Sequence, residues 1–228
     1  MMKTLLLNFL KGILAGLAIG FGGFLFVLMT FLIPGEPGKI LGSILFAIGL
    51  FTVCTFYLSL YTGKIGLVFE KKQETSFYIS LPVMIIGNAI GAVGLGYICY
   101  AIFKDMNIMN RAIQVCNVRL NFDSADGYLG CILKSFLCGL CVYLAVKLFA
   151  MQRLKPLGII MLVFFVFVFV YCGFEHCIAN MFYFSFGNSW VPSAFIDLGL
   201  CILFNSLGTI PGVFMLKMVK QDGQTNQK

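Results

Sequence analysis

The sequence predicts an all-α integral membrane protein with six transmembrane helices. Of its 228 residues, 60% are apolar or aromatic and only 11% are charged, whereas a typical soluble protein has roughly 25% charged residues. The mean hydropathy is +0.97. A soluble fold could not cover its surface with so few charges, so a soluble protein is excluded.

Six apolar runs are long enough to cross a bilayer, which takes about 20 residues in a helix. They are residues 5–33, 40–63, 76–103, 127–150, 157–186 and 191–216. A transmembrane β-barrel would instead show alternating segments of about 10 residues. The first run is much longer than the apolar part of a signal peptide and lacks a small-residue cleavage site, so we expect a retained helix. Residues 1–228 are predicted to form a single transmembrane domain that ends in a disordered cytoplasmic tail at 217–228.

The distribution of basic residues predicts that both termini are cytoplasmic. Six crossings place the termini on one side, and the segments on that side carry eight Lys and Arg residues against four on the other, as the positive-inside rule requires. The eight are Lys3, Lys71, Lys72, Arg153, Lys155, Lys217, Lys220 and Lys228, and the four are Lys39, Lys104, Arg111 and Arg119. The surplus of 16 basic over 9 acidic residues therefore indicates orientation in the cell (inner) membrane, and no nucleic-acid partner is expected.

The two halves of the chain, residues 5–103 and 127–216, resemble each other. Residues 11–17 (KGILAGL) match 134–140 (KSFLCGL), and 87–91 (GNAIG) are paired with 208–212 (GTIPG). The second and fifth runs each carry a polar interruption, at 61–64 and 173–176. Three crossings in each half give the halves opposite orientations, so we predict an inverted 3+3 repeat. In such folds the substrate site lies near the middle of the membrane, where helices are broken.

The polar residues of the fifth run are the first candidate site. His176 is the only histidine and lies within an apolar run, and ionisable residues at membrane depth are functional candidates by default. Asn180 follows one turn later, so we expect both side chains to face a pore. Gly173 would break the helix, and Glu175 would cap free backbone N–H groups beside the break.

The matching interruption in the second run contains Thr62 and Gly63. A broken helix exposes backbone donors at the N-terminus of one half, which suits an anion. The alternative is that Gly63 simply ends the second helix.

Cys138 and Cys141 form a C-x-x-C pair in the fourth run. Such a pair could serve a membrane thiol oxidoreductase, which is the alternative function of another class. Because the pair lies in an uninterrupted apolar run, helix packing is the favoured interpretation. The sequence shows no phosphate loop, nucleophile elbow or metal-ligand cluster, so we expect no enzyme activity, no metal and no cofactor.

Residues 173–182 (GFEHCIANMF) closely resemble the G-F-E-H-S-[IV]-A-N-M-[FY] signature of the formate/nitrite transporter family. Residues 60–63 (LYTG) are similar to its L-F-T-G loop, 87–92 (GNAIGA) to its G-N-x-[IV]-G-A and 15–20 (AGLAIG) to its A-G-x-x-I-G. The resemblance covers essentially the whole chain. It implies a homopentamer of aquaporin-like protomers in the lipid bilayer, each with its own pore and with broken second and fifth helices.

The resemblance also implies a channel or transporter for small monovalent anions of weak acids, such as formate, nitrite or hydrosulfide. His176 would be the central pore histidine and Thr62 its partner. Leu50 and Phe169 fall where the family has apolar constrictions, and Tyr61 falls where it usually has a constriction phenylalanine. A bare anion does not cross such a constriction cheaply, so we expect it to gain a proton near His176. A hydrosulfide-selective channel and a closed, non-conducting subunit remain alternatives.

The sequence departs from the family at three places. Gly139 replaces a pore asparagine, which would widen the pore or admit another water there. The motif G-N-x-x-G-G of the last span is read at 208–213 (GTIPGV). The vestibule lysine has no clean match, with Arg119 as the first candidate and Lys134 as the second. Together with Lys11, these basic residues would raise the local concentration of anions at the pore mouths.

Overall fold

The computed structural model describes residues 2–152 and 154–225, and within these ranges it contains eleven helices and no strand. The helices are α1 Met2–Leu32, α2 Glu36–Thr55, α3 Tyr61–Lys64, α4 Leu67–Glu70, α5 Thr75–Phe103, α6 Ile108–Asn117, α7 Ala125–Met151, α8 Lys155–Tyr171, α9 Cys177–Phe186, α10 Pro192–Leu207 and α11 Thr209–Thr225. Arg153 and Lys228, two of the residues counted for orientation, lie outside the described residues. The predicted all-α class is confirmed.

Five stretches of helix are long and apolar enough to cross a membrane: α1, α2, α5, α7 and the continuous stretch Pro192–Val219 formed by α10 and α11. The fifth predicted run is divided between two shorter apolar helices, α8 and α9. The protein is therefore a multi-pass membrane protein, and the number of six crossings stays a prediction.

Close helix contacts in the first half depend on glycine. On α1, a Cβ atom added to Gly16 would lie 2.1 Å from the carbonyl oxygen of Asn88 on α5. On α5, a Cβ atom added to Gly91 would lie 2.1 Å from the carbonyl oxygen of Ile13. No larger residue fits at either place, and the two backbones pack directly on each other, as small residues allow in membranes.

A buried asparagine fastens the first broken helix. Asn88 on α5 donates from Nδ2 to the carbonyl oxygens of Gly12 at 2.8 Å and Ser59 at 2.9 Å. Its Oδ1 accepts the backbone N–H of Tyr61, the first residue of α3, at 2.8 Å. One side chain thus joins α1, the segment after α2 and the start of α3.

The second half repeats this arrangement with Asn205 on α10. Its Nδ2 donates to the carbonyl oxygens of Ser135 on α7 and Glu175, both at 2.8 Å. Its Oδ1 accepts the backbone N–H of Cys177, the first residue of α9, at 3.0 Å. The same three bonds in both halves are direct evidence of the internal repeat.

The asparagines also correct the alignment of the third and sixth runs. Asn88 is equivalent to Asn205, so Gly91 is equivalent to Gly208, whose added Cβ would lie 1.9 Å from the carbonyl oxygen of Phe136. The pairing of 87–91 with 208–212 is therefore wrong by one helical turn. The family motif of the last span accordingly begins at Phe204 and includes Asn205. The pairing of 11–17 with 134–140 agrees with the structure.

Two elements were not anticipated. α6 lies between the third and fourth apolar runs, where no helix was predicted. Its buried residues recur at helical spacing: Ile108, Met109, Ala112, Val115 and Cys116. At the other end, α11 continues to Thr225, so the predicted disordered tail is wrong for residues 217–225. Residues 226–228 lie outside the described residues.

Candidate functional site

The two helix breaks have the same construction. α2 ends at Thr55 and α3 begins at Tyr61, and α8 ends at Tyr171 before α9 begins at Cys177. Each break contains one residue with left-handed backbone, Tyr57 with φ 52° and Gly173 with φ 68°. Gly173 therefore has the conformation that a helix break requires.

Gly63 does not break a helix. It lies within α3 without a positive φ, and an added Cβ would only touch Val146 at 3.5 Å. The predicted break was placed several residues too late because residues 56–60 contain neither Gly nor Pro. Tyr57 takes the left-handed conformation instead.

His176 and Thr62 meet at the centre of the protein. The Nε2 atom of His176 lies 2.9 Å from Oγ1 of Thr62, and both side chains are buried. The Nδ1 atom of His176 accepts the backbone N–H of Ala179 at 3.2 Å and so caps the N-terminus of α9. An acceptor at Nδ1 assigns the proton of the neutral ring to Nε2, which donates to Thr62. The hydroxyl hydrogen of Thr62 is then free for another partner.

Apolar rings enclose this pair on one side. Phe169 stacks on His176 with ring centroids 5.9 Å apart, and Phe46 meets Phe169 edge-on at 5.6 Å. A cavity of about 10 Å³ remains beside them, lined also by Phe26, Phe174, Tyr183, Arg119 and Asn180. This is about the space that one water molecule needs.

The three predicted constriction residues lie in different surroundings. Phe169 lines the small cavity, and Leu50 is fully buried in the core. Tyr61 is half-buried, and its hydroxyl is 3.0 Å from Oγ of Ser206 on α10. The phenylalanines at 26, 46 and 174 were not singled out in the sequence, where they are three of 25.

Arg119, which lines the same cavity, forms an ion pair with the buried Glu175. The Nε atom of Arg119 lies 3.1 Å from Oε2 of Glu175 and donates to Oδ1 of Asn180 at 3.0 Å. The guanidinium also lies over the ring of Tyr183, 4.6 Å from its centroid. Burial by itself would lower the pKa of Arg119, but the Glu175 carboxylate and further acidic groups around it raise the pKa above its ordinary value.

Glu175 was expected to cap backbone N–H groups, and this is wrong. Its carboxylate pairs with Arg119 and accepts Nδ2 of Asn180 at 3.0 Å, while His176 supplies the cap of α9. Asn180 also donates to Oδ2 of Asp197 on α10 at 2.8 Å. Asp197 was not predicted as a neighbour of Asn180, because it lies 17 residues further along the chain on another helix.

The two candidates for the vestibule lysine occupy one surface recess. Arg119, Lys134, Glu175, Asp126 and Cys131 line a recess of about 240 Å³ between α6 and α7, here called the α6–α7 recess. Lys134 forms no ion pair with any described residue. It therefore supplies free positive charge, whereas the charge of Arg119 is offset by Glu175.

Lys11 is equivalent to Lys134 in the aligned repeat, so it belongs to the opposite end of the protein. Near it lies Lys64, whose Nζ donates to Oγ of Ser59 at 3.3 Å. Lys64 lines a second recess of about 340 Å³ together with Leu60, Gly63 and Lys155, here called the α3 recess. Lys11 itself lines a wide groove on the surface of the protein, among leucines and other apolar residues.

Gly139 does not widen the pore. A Cβ atom added to it would lie 2.1 Å from the carbonyl oxygen of Asn205, so the residue lies in the contact between α7 and α10. It corresponds to Gly16, which has the same contact with Asn88 in the first half. The expectation of extra pore space or an extra water at this position is therefore wrong.

Cys138 and Cys141 are free thiols on the uninterrupted helix α7, and both are buried. A redox function of this pair would be supported by a disulfide nearby. All nine cysteines are free, so the structure offers no such support. Their environment fits helix packing.

Comparison with known proteins agrees with this architecture. The sequence profile of the family described as Formate/nitrite transporter matches residues 2–212. The fold is similar to a solved structure described as a pentameric formate channel with formate bound, at 23% identity and a TM-score of 0.75 over 99% of both chains. It is also similar to an FNT family ion channel, at 18% identity and a TM-score of 0.64 over 93% of this chain and 86% of that one. No protein of curated function matches the chain. The chain belongs to the formate/nitrite transporter family.

Proposed function

We propose that the protein is a membrane channel for small monovalent anions of weak acids, of the formate, nitrite or hydrosulfide class. The observation that carries the proposal is the buried Thr62–His176 pair, 2.9 Å apart, at the point where two broken helices meet inside an apolar protein. Family membership supports the same class of substrate. The similar solved structure is described as a formate channel.

The size of the central cavity argues for passage of a dehydrated species. About 10 Å³ beside Phe169 and His176 holds roughly one water molecule, so an anion cannot bring its hydration shell. A dehydrated charge among phenylalanines is strongly disfavoured. The anion therefore crosses this point as its neutral acid, which couples transport to one proton.

The hydrogen bonds of His176 favour water over the imidazole as the immediate proton source. A proton on Nδ1 would point at the N–H of Ala179, which it now accepts at 3.2 Å, and α9 would lose its cap. A neutral ring keeps its Nε2 proton on Thr62, whose own hydroxyl can then donate to the passing acid. His176 orients Thr62, and the proton arrives through water from the α6–α7 recess, which shares Arg119 with the central cavity.

The basic residues near the two mouths fit an anion pathway. Lys134 lines the α6–α7 recess and Lys64 lines the α3 recess, so each end has an ammonium group with no ion pair among the described residues. Such groups raise the local anion concentration before the apolar region. With both termini cytoplasmic, the α3 recess faces the cytoplasm and the α6–α7 recess faces outward.

The assembly is a homopentamer with one pore in each protomer. The similar formate channel is described as pentameric and matches 99% of the chain. α1 carries an exposed row of leucines at helical spacing, including Leu7, Leu10 and Leu14, which suits lipid or a neighbouring protomer.

The test is anion flux into proteoliposomes that contain the purified protein. Formate, nitrite and hydrosulfide are compared at two external pH values, and we expect influx of at least one of them to rise as external pH falls. Hydrosulfide flux without formate flux would assign the alternative substrate. No flux of any of the three would overturn the proposal.

A pair of variants tests the histidine separately. His176→Asn keeps an N-cap acceptor for Ala179 but removes the imidazole from Thr62, whereas His176→Phe removes both. We expect His176→Asn to remain folded and to lose at least about tenfold in flux, which corresponds to about 1.4 kcal/mol. An unchanged rate and pH profile in His176→Asn would refute the role of the histidine and leave the anion channel standing.

A further inference from the structure

We propose that α7 and α10 together form a binding site for a divalent metal ion of the zinc class, with Cys131, Asp197 and Cys201 as ligands. Their ligand atoms all lie within 4.8 Å of one another, and all three residues are buried. The cluster has no sequence motif, because Cys131 and Asp197 are 66 residues apart in the chain. The sequence suggested no metal-ligand cluster, and only the packing of the two helices creates one.

The spacing of the ligand atoms already suits a tetrahedral ion. Zn–S and Zn–O distances of about 2.3 Å and 2.0 Å give a sulfur–oxygen edge of about 3.5 Å in a tetrahedron. The sulfur atoms of Cys131 and Cys201 lie 3.6 Å from Oδ1 and Oδ2 of Asp197, respectively. The two sulfurs and the two oxygens of this carboxylate together supply four ligand atoms, and Oγ of Ser135 lies beside them, 3.2 Å from the sulfur of Cys201.

The charge of the cluster selects a divalent ion. Glu175 is paired with Arg119, whereas Asp197 is a buried acid with no salt bridge among the described residues. Metal binding replaces the two thiol protons, because cysteine binds metals as thiolate. Two thiolates, one carboxylate and one M²⁺ carry one negative charge, the same as two thiols and one carboxylate. A divalent ion therefore enters without adding buried charge, whereas a monovalent ion would leave one more negative charge behind.

The repeat shows that the fold does not require this cluster. The aligned halves place an amide, a hydroxyl and a thioether at the equivalent positions, which are Asn8, Ser80 and Met84. Those groups do not form a set of strong zinc ligands. The ligand set is a feature of the second half alone.

The site has an entry path and a connection to the pore. Cys131 lines the α6–α7 recess beside Asp126 and Glu175, so an ion can reach it from that side. Asp197 accepts Nδ2 of Asn180, which lines the central cavity. An ion on Asp197 competes for this carboxylate and so acts on the pore wall through one hydrogen bond.

The experiment measures metal binding by the purified full-length protein, with Cys172→Ser in every sample because Cys172 is an exposed thiol. Cd²⁺ serves as the probe, since its bonds to thiolate give an ultraviolet charge-transfer absorption. We expect one Cd²⁺ per protomer, displaced by Zn²⁺. The double variant Cys131→Ser/Cys201→Ser should lose this absorption, and Asp197→Asn should weaken binding at least about tenfold.

The matched control is Cys138→Ser/Cys141→Ser, which removes the same number of buried thiols from the helix region but leaves the cluster intact. It should bind Cd²⁺ as the parent does. Equal Cd²⁺ binding by the Cys131/Cys201 double variant, or loss of binding in the control alone, would overturn the proposal.

A measurement on the unsubstituted protein guards against variants that fail to fold. Zinc X-ray absorption of the Zn²⁺-loaded protein should show two sulfur neighbours at about 2.3 Å. A zinc environment without sulfur neighbours would refute the site. None of these readouts uses anion flux, so failure here is distinct from failure of the proposed channel function.

Discussion

Substitution of Gly139 by Ala tests how the second half of the repeat is assembled. The added Cβ would lie 2.1 Å from the carbonyl oxygen of Asn205, and ordinary contact begins at 3.4 Å, so about 1.3 Å of clearance is missing. The obstacle is backbone, which cannot rotate aside as a side chain could. We expect α7 and α10 to separate.

The separation also breaks a hydrogen bond. Asn205 on α10 donates to the carbonyl oxygen of Ser135 on α7 at 2.8 Å, and an added displacement of about 1.3 Å would exceed the hydrogen-bond limit. Overpacking costs about 1–3 kcal/mol, and a lost buried bond adds about 1 kcal/mol. We expect Gly139→Ala to destabilise the protein by about 3 kcal/mol, and to reduce anion flux because Asn205 also holds the first residue of α9.

The assay is thermal: the purified protein is heated, and the fraction left in the oligomer peak is measured by size-exclusion chromatography. Gly130→Ala is the control on the same helix, since an added Cβ there meets nothing within 4 Å. That variant should be neutral or more stable by up to about 1 kcal/mol. Equal melting temperatures of the two variants would refute the close contact at Gly139 and would favour the earlier expectation that this position faces open space.

Three further predictions follow from the contacts of the site. Thr62→Val removes the partner of the histidine without changing volume, so proteoliposome flux should fall at least about tenfold while Thr62→Ser keeps it; equal flux in both variants would exclude a role for the hydroxyl. Arg119→Met leaves Glu175 buried and unpaired and should lower the free energy of unfolding by about 3–5 kcal/mol. Adding Glu175→Gln should restore part of the lost melting temperature, and a double variant no more stable than the single one would contradict the ion pair. Asn88→Ala and Asn205→Ala each leave one N–H and two carbonyls without their partner and should each destabilise by about 2–3 kcal/mol; normal melting of either would contradict its place in the repeat.

The breaks themselves show where local sequence is informative. Gly173 is a glycine at a position that needs a positive φ, so the fifth-run break could be located from the sequence. The equivalent residue in the second run is Tyr57, with φ 52°, and a tyrosine gives no signal of a left-handed turn. Asn88 holds the start of α3 from another helix, and this long-range bond fixes the break where local preference does not.

The sequence by itself determined the class of the molecule and the centre of its site. Apolar content and the length of apolar runs are properties of single segments. They determine whether a segment lies in water or in the lipid bilayer, whatever it packs against. The signature around His176 marked the central residue, and Thr62 was named beside it. The repeat was visible too, although its last pairing was wrong by one turn because Gly-rich patterns are common in membrane helices.

Only the tertiary structure decided which polar groups are partners. Glu175 pairs with Arg119 rather than with backbone N–H groups, Gly139 faces a helix rather than the pore, and Cys131 meets Asp197 and Cys201. These contacts join segments far apart in the chain. Which side chains meet depends on how the helices pack along each other, because a shift of one turn gives every side chain a different neighbour. The apolar periodicity of a single segment does not contain this information.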